Sequence, residues 1–258
     1  MKILSLQTNI YWENPEMNFA NISKLFSTYT KADLIILPEM FNSGFSMDSE
    51  RISEPTSGKS LEWLKQFAKS KGAVVIASLA IVENNKYYNR LYSVYPNGDL
   101  EFYNKRHLFR MAGENKHYQS GSENITIQIK GFKIRPLICY DLRFPVWSRN
   151  QANEEYDCLI YIANWPSARS LAWTSLLQAR AIENQAYVIG VNRVGIDGNE
   201  VEYSGNSRVF DFTGLRMDKF KPNEIQVQEL DFNITKLKDF RKKFPAGTDS
   251  DKFKIFEL

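Results

Sequence analysis

Ile134-Arg135-Pro136-Leu137-Ile138-Cys139-Tyr140-Asp141-Leu142-Arg143-Phe144-Pro145 starts as an apolar β-strand and breaks at a cysteine into a polar turn, with a helix expected beyond it. A strand that runs straight from a buried run into a loop of reactive side chains is the pattern of a layered α/β protein, whose sites form at strand carboxyl ends. The neighbouring sequence repeats this pattern. Upstream, Ile125–Ile129 reads as a partner strand, with Gly131 in the turn. Downstream, Asp157–Ala163 is another apolar run, and Ser170–Asn184 carries Leu171, Leu176, Leu177, Ala181 and Ile182 at helical spacing. Tyr187–Val191 and Tyr203–Phe210 read as strands on either side of an Asp197-Gly198-Asn199 turn.

The first half uses the same elements. Met1–Thr8 is a strand, Asn14-Pro15 starts a helix, and Met17, Ala20, Ile22, Leu25, Phe26 and Tyr29 give its stripe. Asp33-Leu34-Ile35-Ile36-Leu37 ends at Pro38 and has no alternation, as expected of a strand covered on both faces. Leu61, Leu64, Phe67 and Ala68 mark a second helix, closed by Lys71-Gly72. Val74–Val82 is a buried strand, and Asn84-Asn85 and Pro96-Asn97-Gly98 read as hairpin turns. About ten strands and four or five helices, with no Pro/Ser-rich linker, predict one α/β domain over 1–258. The tail 244–258 is polar with spaced aromatics and is expected to pack on a surface, of this chain or of a partner subunit.

Composition narrows the function. The 258 residues include 33 basic and 30 acidic side chains, a formal charge of +3, and 43% are hydrophobic. That balance is ordinary for a globular chain and gives no electrostatic footprint for nucleic acid; Arg241-Lys242-Lys243 is the densest basic run. The apolar stretch Val74–Val82 is about half the ~18 residues that a membrane span needs, and the amino-terminal segment lacks a signal-peptide core. Two cysteines, Cys139 and Cys158, cannot build a disulfide framework, and with His107 and His117 they show no metal-site spacing. The expectation is a cytoplasmic protein with reduced thiols, no cofactor, no metal, and no nucleic-acid or membrane partner. Phosphate-loop, dinucleotide, nucleophile-elbow and H-E-x-x-H motifs are all absent; Gly205-Asn206-Ser207-Arg208 lacks the last glycine of an elbow.

What remains is a set of polar residues at strand ends. Glu39 leaves the Leu34–Pro38 run, Lys105 follows a hairpin strand, and Cys139 ends Ile134–Ile138. Cys158, in the middle of an apolar run, reads as a small buried hydrophobe. His107 could pair with Cys139, but chain order does not decide proximity.

Together, Leu37-Pro38-Glu39-Met40, Asn104-Lys105-Arg106-His107-Leu108-Phe109 and Leu137–Pro145 resemble the nitrilase (carbon–nitrogen hydrolase) superfamily, in the order of its Glu–Lys–Cys triad. Ala179–Gln185 and Asn192-Arg193-Val194-Gly195 extend the resemblance along the chain. It implies a four-layer αββα sandwich and a homodimer formed around the helix after Cys139. It also implies a supporting glutamate, Glu114, seven residues before Gly121, although the loop Met111–Lys116 departs from the commonest wording. The wording Glu39-Met40-Phe41, His107–Glu114 and Asn164-Trp165-Pro166 is similar to the omega-amidase branch, which hydrolyses the terminal amide of 2-oxoglutaramate or 2-oxosuccinamate.

On that reading Glu39 is the general base, Cys139 the nucleophile, and Lys105 with the Tyr140 backbone N–H the oxyanion donors. The small-molecule amide would carry a carboxylate, for which Arg110 and Arg169 are the candidate clamps, and Phe41, Tyr140, Trp165 and Trp173 would wall the pocket. Arg143 is expected to pair with Asp141 or Glu183. Alternatives within the superfamily are deaminated glutathione, an N-carbamoyl amino acid or a nitrile as substrate. Outside it stand a non-catalytic binding protein on the same fold and a redox-sensing thiol protein, the latter requiring a resolving cysteine beside Cys139.

Overall fold

The computed structural model describes residues 1–151 and 155–256. Its strands are β1 (Lys2–Gln7), β2 (Leu34–Ile36), β3 (Val74–Glu83), β4 (Lys86–Val94), β5 (Leu100–Asn104), β6 (Ile127–Ile129), β7 (Phe132–Ile138), β8 (Cys158–Ala163), β9 (Tyr187–Asn192), β10 (Val194–Ile196), β11 (Glu202–Ser204), β12 (Arg208–Phe210) and β13 (Gln226–Asp231). The helices are α1 (Pro15–Leu25), α2 (Ser49–Ile52), α3 (Lys59–Lys71), α4 (Glu114–His117), α5 (Pro145–Ser148), α6 (Ser170–Asn184) and α7 (Ile234–Lys243).

Two mixed sheets carry the site. One runs β13-β1-β2-β3-β4-β5 and the other β12-β9-β8-β7-β6. Each is parallel at its centre, at β1-β2-β3 and at β7-β8-β9, and antiparallel towards its edges. The two-residue period of a strand divides the first sheet cleanly. Ile3, Leu34, Ile36, Val74 and Ile76 face the second sheet in one shared core, with Ile138, Ile160 and Ile189. Their neighbours Leu4, Ile35, Val75 and Ala77 pack outward against Ile22 of α1 and Leu61 and Leu64 of α3. On the far side, Trp173, Leu177 and Ala181 of α6 and Leu237 of α7 cover the second sheet. The result is the αββα sandwich that the resemblance implies.

Several local expectations change. In α1 the buried face is Asn18 and Ile22, while Met17 is exposed. In α6 the buried face includes Trp173, Leu177, Arg180, Ala181 and Asn184, whereas Leu171 and Ile182 are exposed. Tyr203–Phe210 is not one strand. Gly205 and Asn206 take φ of 73° and 56°, which breaks the run, so β11 pairs with β10 in a separate ribbon and β12 joins β9. After Cys139 the chain makes a 3₁₀ turn and only the four-residue α5. In the tail, Ala246–Asp249 forms a 3₁₀ turn and the Phe256 carbonyl accepts a bond from Arg106, while the Phe244 and Phe256 side chains stay exposed. The last two residues of the expected tail lie outside the described residues.

Candidate active site

Glu39 and Cys139 occupy equivalent places, each just beyond the carboxyl end of a parallel strand, in opposite sheets. Both exits turn sharply. Cys139 has φ 43° and Met40, next to Glu39, has φ 45°, a left-handed conformation that costs a non-glycine residue about 1–3 kcal/mol and concentrates at functional sites. Ser78 Oγ holds the first turn by accepting from Met40 N–H at 2.9 Å. Asp141 holds the second by accepting from Ile138 N–H at 3.0 Å. Lys105 follows β5, where its own N–H donates to the Asn89 carbonyl at 2.9 Å.

The three side chains converge. Lys105 Nζ donates to Glu39 Oε1 at 2.9 Å and to Glu114 Oε1 at 3.0 Å, and all three residues are fully buried. Glu39 Oε2 accepts from Asn164 N–H at 2.8 Å, and Asn164 Nδ2 donates to the Glu39 carbonyl at 2.6 Å. The Cys139 thiol lies 3.9 Å from the Asn164 carbonyl oxygen. Glu114 is anchored from its other oxygen by Phe109 N–H at 2.5 Å.

Burial disfavours every charge here, and the charges oppose one another. Burial and the Glu39 carboxylate push the Cys139 thiol well above its ordinary pKa, against the pull of Lys105. Burial also raises the Glu114 carboxyl; Lys105 opposes this and Glu39 adds to it. Burial alone would lower the Lys105 pKa, but Glu114 and Glu39 outweigh it and keep the ammonium charged. Two carboxylates share one cation, so a resident thiolate would add a further negative charge. The surroundings thus favour the neutral thiol over the thiolate.

Cys139 and Lys105 line a cavity of about 600 Å³, together with Phe45, Tyr140, Arg143, Asn164, Trp165, Arg169 and Tyr203. Arg143 lies over the Trp165 ring at 5.0 Å and Arg169 over the Phe109 ring at 5.2 Å, so aromatic faces brace two guanidiniums at one cavity. Trp165 Nε1 donates to the Arg169 carbonyl at 2.8 Å and locks that wall.

Of the candidate pocket residues, Tyr140, Trp165 and Arg169 reach this cavity and the others do not. Phe41 packs in the outer core against Phe19 and Trp63. Trp173 is fully buried behind Trp165, with Nε1 donating to the Asn206 carbonyl. Arg110 lines a separate groove with Arg106, His107 and Asn115. Arg143 takes the place expected of Arg110; it is not the partner of Asp141 or Glu183, since Asp141 binds His107 and Tyr103, and Glu183 pairs with Arg180. His107 does not pair with Cys139 either: its Nδ1 meets Asp141 at 2.8 Å and its ring stacks on Phe144. Asn89 and Asn164 escaped the sequence reading. The signal for Asn164 was a polar residue at the exit of an apolar strand; Asn89 had none, since its strand also carries Lys86, Arg90 and Ser93.

Residues 2–242 match the family model for carbon–nitrogen hydrolases. The chain belongs to the carbon–nitrogen hydrolase family. It falls in the omega-amidase branch of the nitrilase superfamily and is an amide-hydrolysing enzyme. Among the relatives of this hydrolase, omega-amidase YafV of Escherichia coli K12 is 41% identical, over 99% of each chain. A 2-oxoglutaramate amidase of Bacillus subtilis is 32% identical, over 88% of this chain and 91% of its own. A solved carbon–nitrogen hydrolase from Xanthomonas campestris, carrying an arsenic adduct in its active site, superposes with a TM-score of 0.95 at 38% identity, over 99% of each chain.

Proposed function

We propose that this carbon–nitrogen hydrolase is a cysteine-dependent amidase that cleaves the terminal amide of a small 2-oxo acid amide, 2-oxoglutaramate or 2-oxosuccinamate, through a thioester. The observation that carries the reading is Lys105 Nζ held at 2.9 and 3.0 Å between two buried carboxylates, beside a cysteine that opens on a cavity with two arginines.

As the Cys139 sulfur bonds to the carboxamide carbon, the thiol proton passes to Glu39 and the carbonyl π pair moves onto oxygen. Lys105 Nζ and the N–H of Tyr140, one of the opening amides of a 3₁₀ turn that have no partner inside it, hold that oxyanion. Each such donor is worth roughly 2.7–4 kcal/mol. The oxyanion collapses, the C–N bond breaks, and Glu39 gives its proton to the departing nitrogen, which leaves as ammonia. A water then attacks the thioester while Glu39 takes its proton, and that proton returns to the sulfur as the carboxylic acid departs. The net reaction is amide plus water to acid plus ammonia.

Arg143 and Arg169 suit the free carboxylate of such a substrate. An α-ammonium finds no equivalent partner at the acidic residues lining the cavity. Asp197 already accepts from Asn199 N–H, Val201 N–H and Tyr203 O–H, Glu13 is engaged by Ser46 and Arg51, and Asp48 pairs with Arg51 at 2.7 Å. This favours an oxo acid amide over glutamine.

A second copy of the chain would cover the exposed apolar side chains Val146, Leu171, Ile182 and Leu215, in keeping with a working homodimer. Two free cysteines, one of them needed reduced, suit a reducing cytoplasm. Among the described residues, no helix is long and apolar enough to cross a membrane.

The test is ammonia release from 2-oxoglutaramate, glutamine, an N-carbamoyl amino acid and a simple nitrile. Turnover should be fastest on 2-oxoglutaramate and vanish in Cys139→Ala with the fold intact. Retained turnover in that variant, or preference for another substrate of the panel, would overturn the reading.

A further inference from the structure

Asn89 lies on β4, on the face it shares with Leu91, which points into the space between the sheets. It is fully buried, and it touches every residue of the buried charge cluster. Its Nδ2 donates to Glu39 Oε1 at 2.7 Å and reaches Glu114 Oε1 at 3.4 Å. Its backbone carbonyl accepts the Lys105 N–H at 2.9 Å. The two carboxylate oxygens that share Lys105 Nζ therefore also share this amide. An amide with its NH₂ between two carboxylate oxygens cannot be reversed, because the flip would set acceptor against acceptor.

We propose that Asn89 is a positioning residue: its amide is the second donor that lets two buried carboxylates share one lysine, and it pins Glu39 Oε1 so that Oε2, which among the described residues accepts only from Asn164 N–H, keeps a lone pair to exchange the proton. A second lysine could bridge the pair too, but it would neutralise the cluster and weaken Glu39 as a base. A neutral amide supplies the hydrogen bond without the charge. The inference rests on reading Glu39 as the general base.

The experiment is the pH profile of kcat/KM for ammonia release in the whole enzyme, wild type against Asn89→Asp and Asn89→Ser. The titratable and charged groups around Asn89 and the carboxylates are Glu39, Glu114, Lys105, Cys139 and Tyr118. In Asn89→Asp a third carboxylate of the same shape replaces the donor, and in Asn89→Ser the donor is withdrawn. In both, the cluster binds a proton more tightly, and the acid limb should move up by at least one pH unit. A side chain that merely fills space would lower activity evenly at all pH. An unmoved limb in whichever variant folds overturns the inference. Glu39→Gln, run alongside, separates this from failure of the underlying reading: retained activity there would sink the base assignment, whatever Asn89 does.

Discussion

Cys139 is held in a left-handed turn, buried, and set between a carboxylate and an ammonium, so its reactivity is a balance that single substitutions can tip. Lys105 is the neighbour that lowers its pKa and Glu39 one that raises it. Lys105→Met should therefore slow alkylation of Cys139 by iodoacetamide at pH 8, and Glu39→Gln should speed it while abolishing turnover. Mass-spectrometric labelling rates check both, with Cys158 as the unreactive internal reference because it is wholly buried in β8. Faster labelling in Lys105→Met would contradict the electrostatic picture. At the cavity wall, Arg169→Leu should raise KM for 2-oxoglutaramate more than it lowers kcat. A hydrogen bond to a charged group is worth about 1.5–3 kcal/mol, roughly 10- to 150-fold in kcat/KM. The methyl ester of the same substrate, lacking that carboxylate, should show little difference between the two enzymes.

At the scale of elements, strand ends do the positioning, and one glycine shows how tightly. A Cβ on Gly121 would come within 2.2 Å of the Asn104 carbonyl oxygen, and Gly121 N–H donates to the Lys105 carbonyl at 2.9 Å. The loop that closes over the end of β5 thus needs a residue without a side chain. Gly121→Ala must move either that loop or the lysine. It should cost about 1–3 kcal/mol of stability in urea unfolding. Activity should fall by a larger factor, since a displacement near 1 Å can cost about 100-fold. Equal activity per folded molecule would show that the loop yields and Lys105 does not. The same scale explains the divided Tyr203–Phe210 run, where two residues with positive φ send its halves to different sheets.

For the whole molecule, the sandwich is what makes the site. Glu39, Asn89 and Lys105 come from the first sheet, and Cys139 and Asn164 from the second, 125 residues along the chain from Glu39 in the case of Asn164. Only the shared core brings them within bonding distance. The exposed Val146, on the short α5 just past the Cys139 turn, belongs to the face proposed for a second copy. Val146→Glu should shift sedimentation from about twice 30.0 kDa towards a single chain at micromolar concentration, and a wild-type protein that sediments as a monomer would remove the dimer.

The places of Glu39 and Cys139 were legible in the chain because each follows an apolar strand, and hydrophobic patterning by itself says where a strand must end; that these two and Lys105 belong together came from the family resemblance, since the strand before Lys105 carries Glu101 and Asn104 and is not apolar. The layered α/β class was legible for a related reason, since apolar runs such as Leu34–Leu37 must be covered on both faces, but the four-layer order came from the family resemblance. Which aromatic or arginine reaches the cavity was not legible. Phe41 turns into the outer core, Trp173 hides behind Trp165, and Arg143 rather than Arg110 points inward. Those choices depend on loop conformation and on what the other sheet presents, so they exist only after the two halves pack. The amide of Asn89 is the same case, because a buried polar group acquires its meaning from partners that lie far away in sequence.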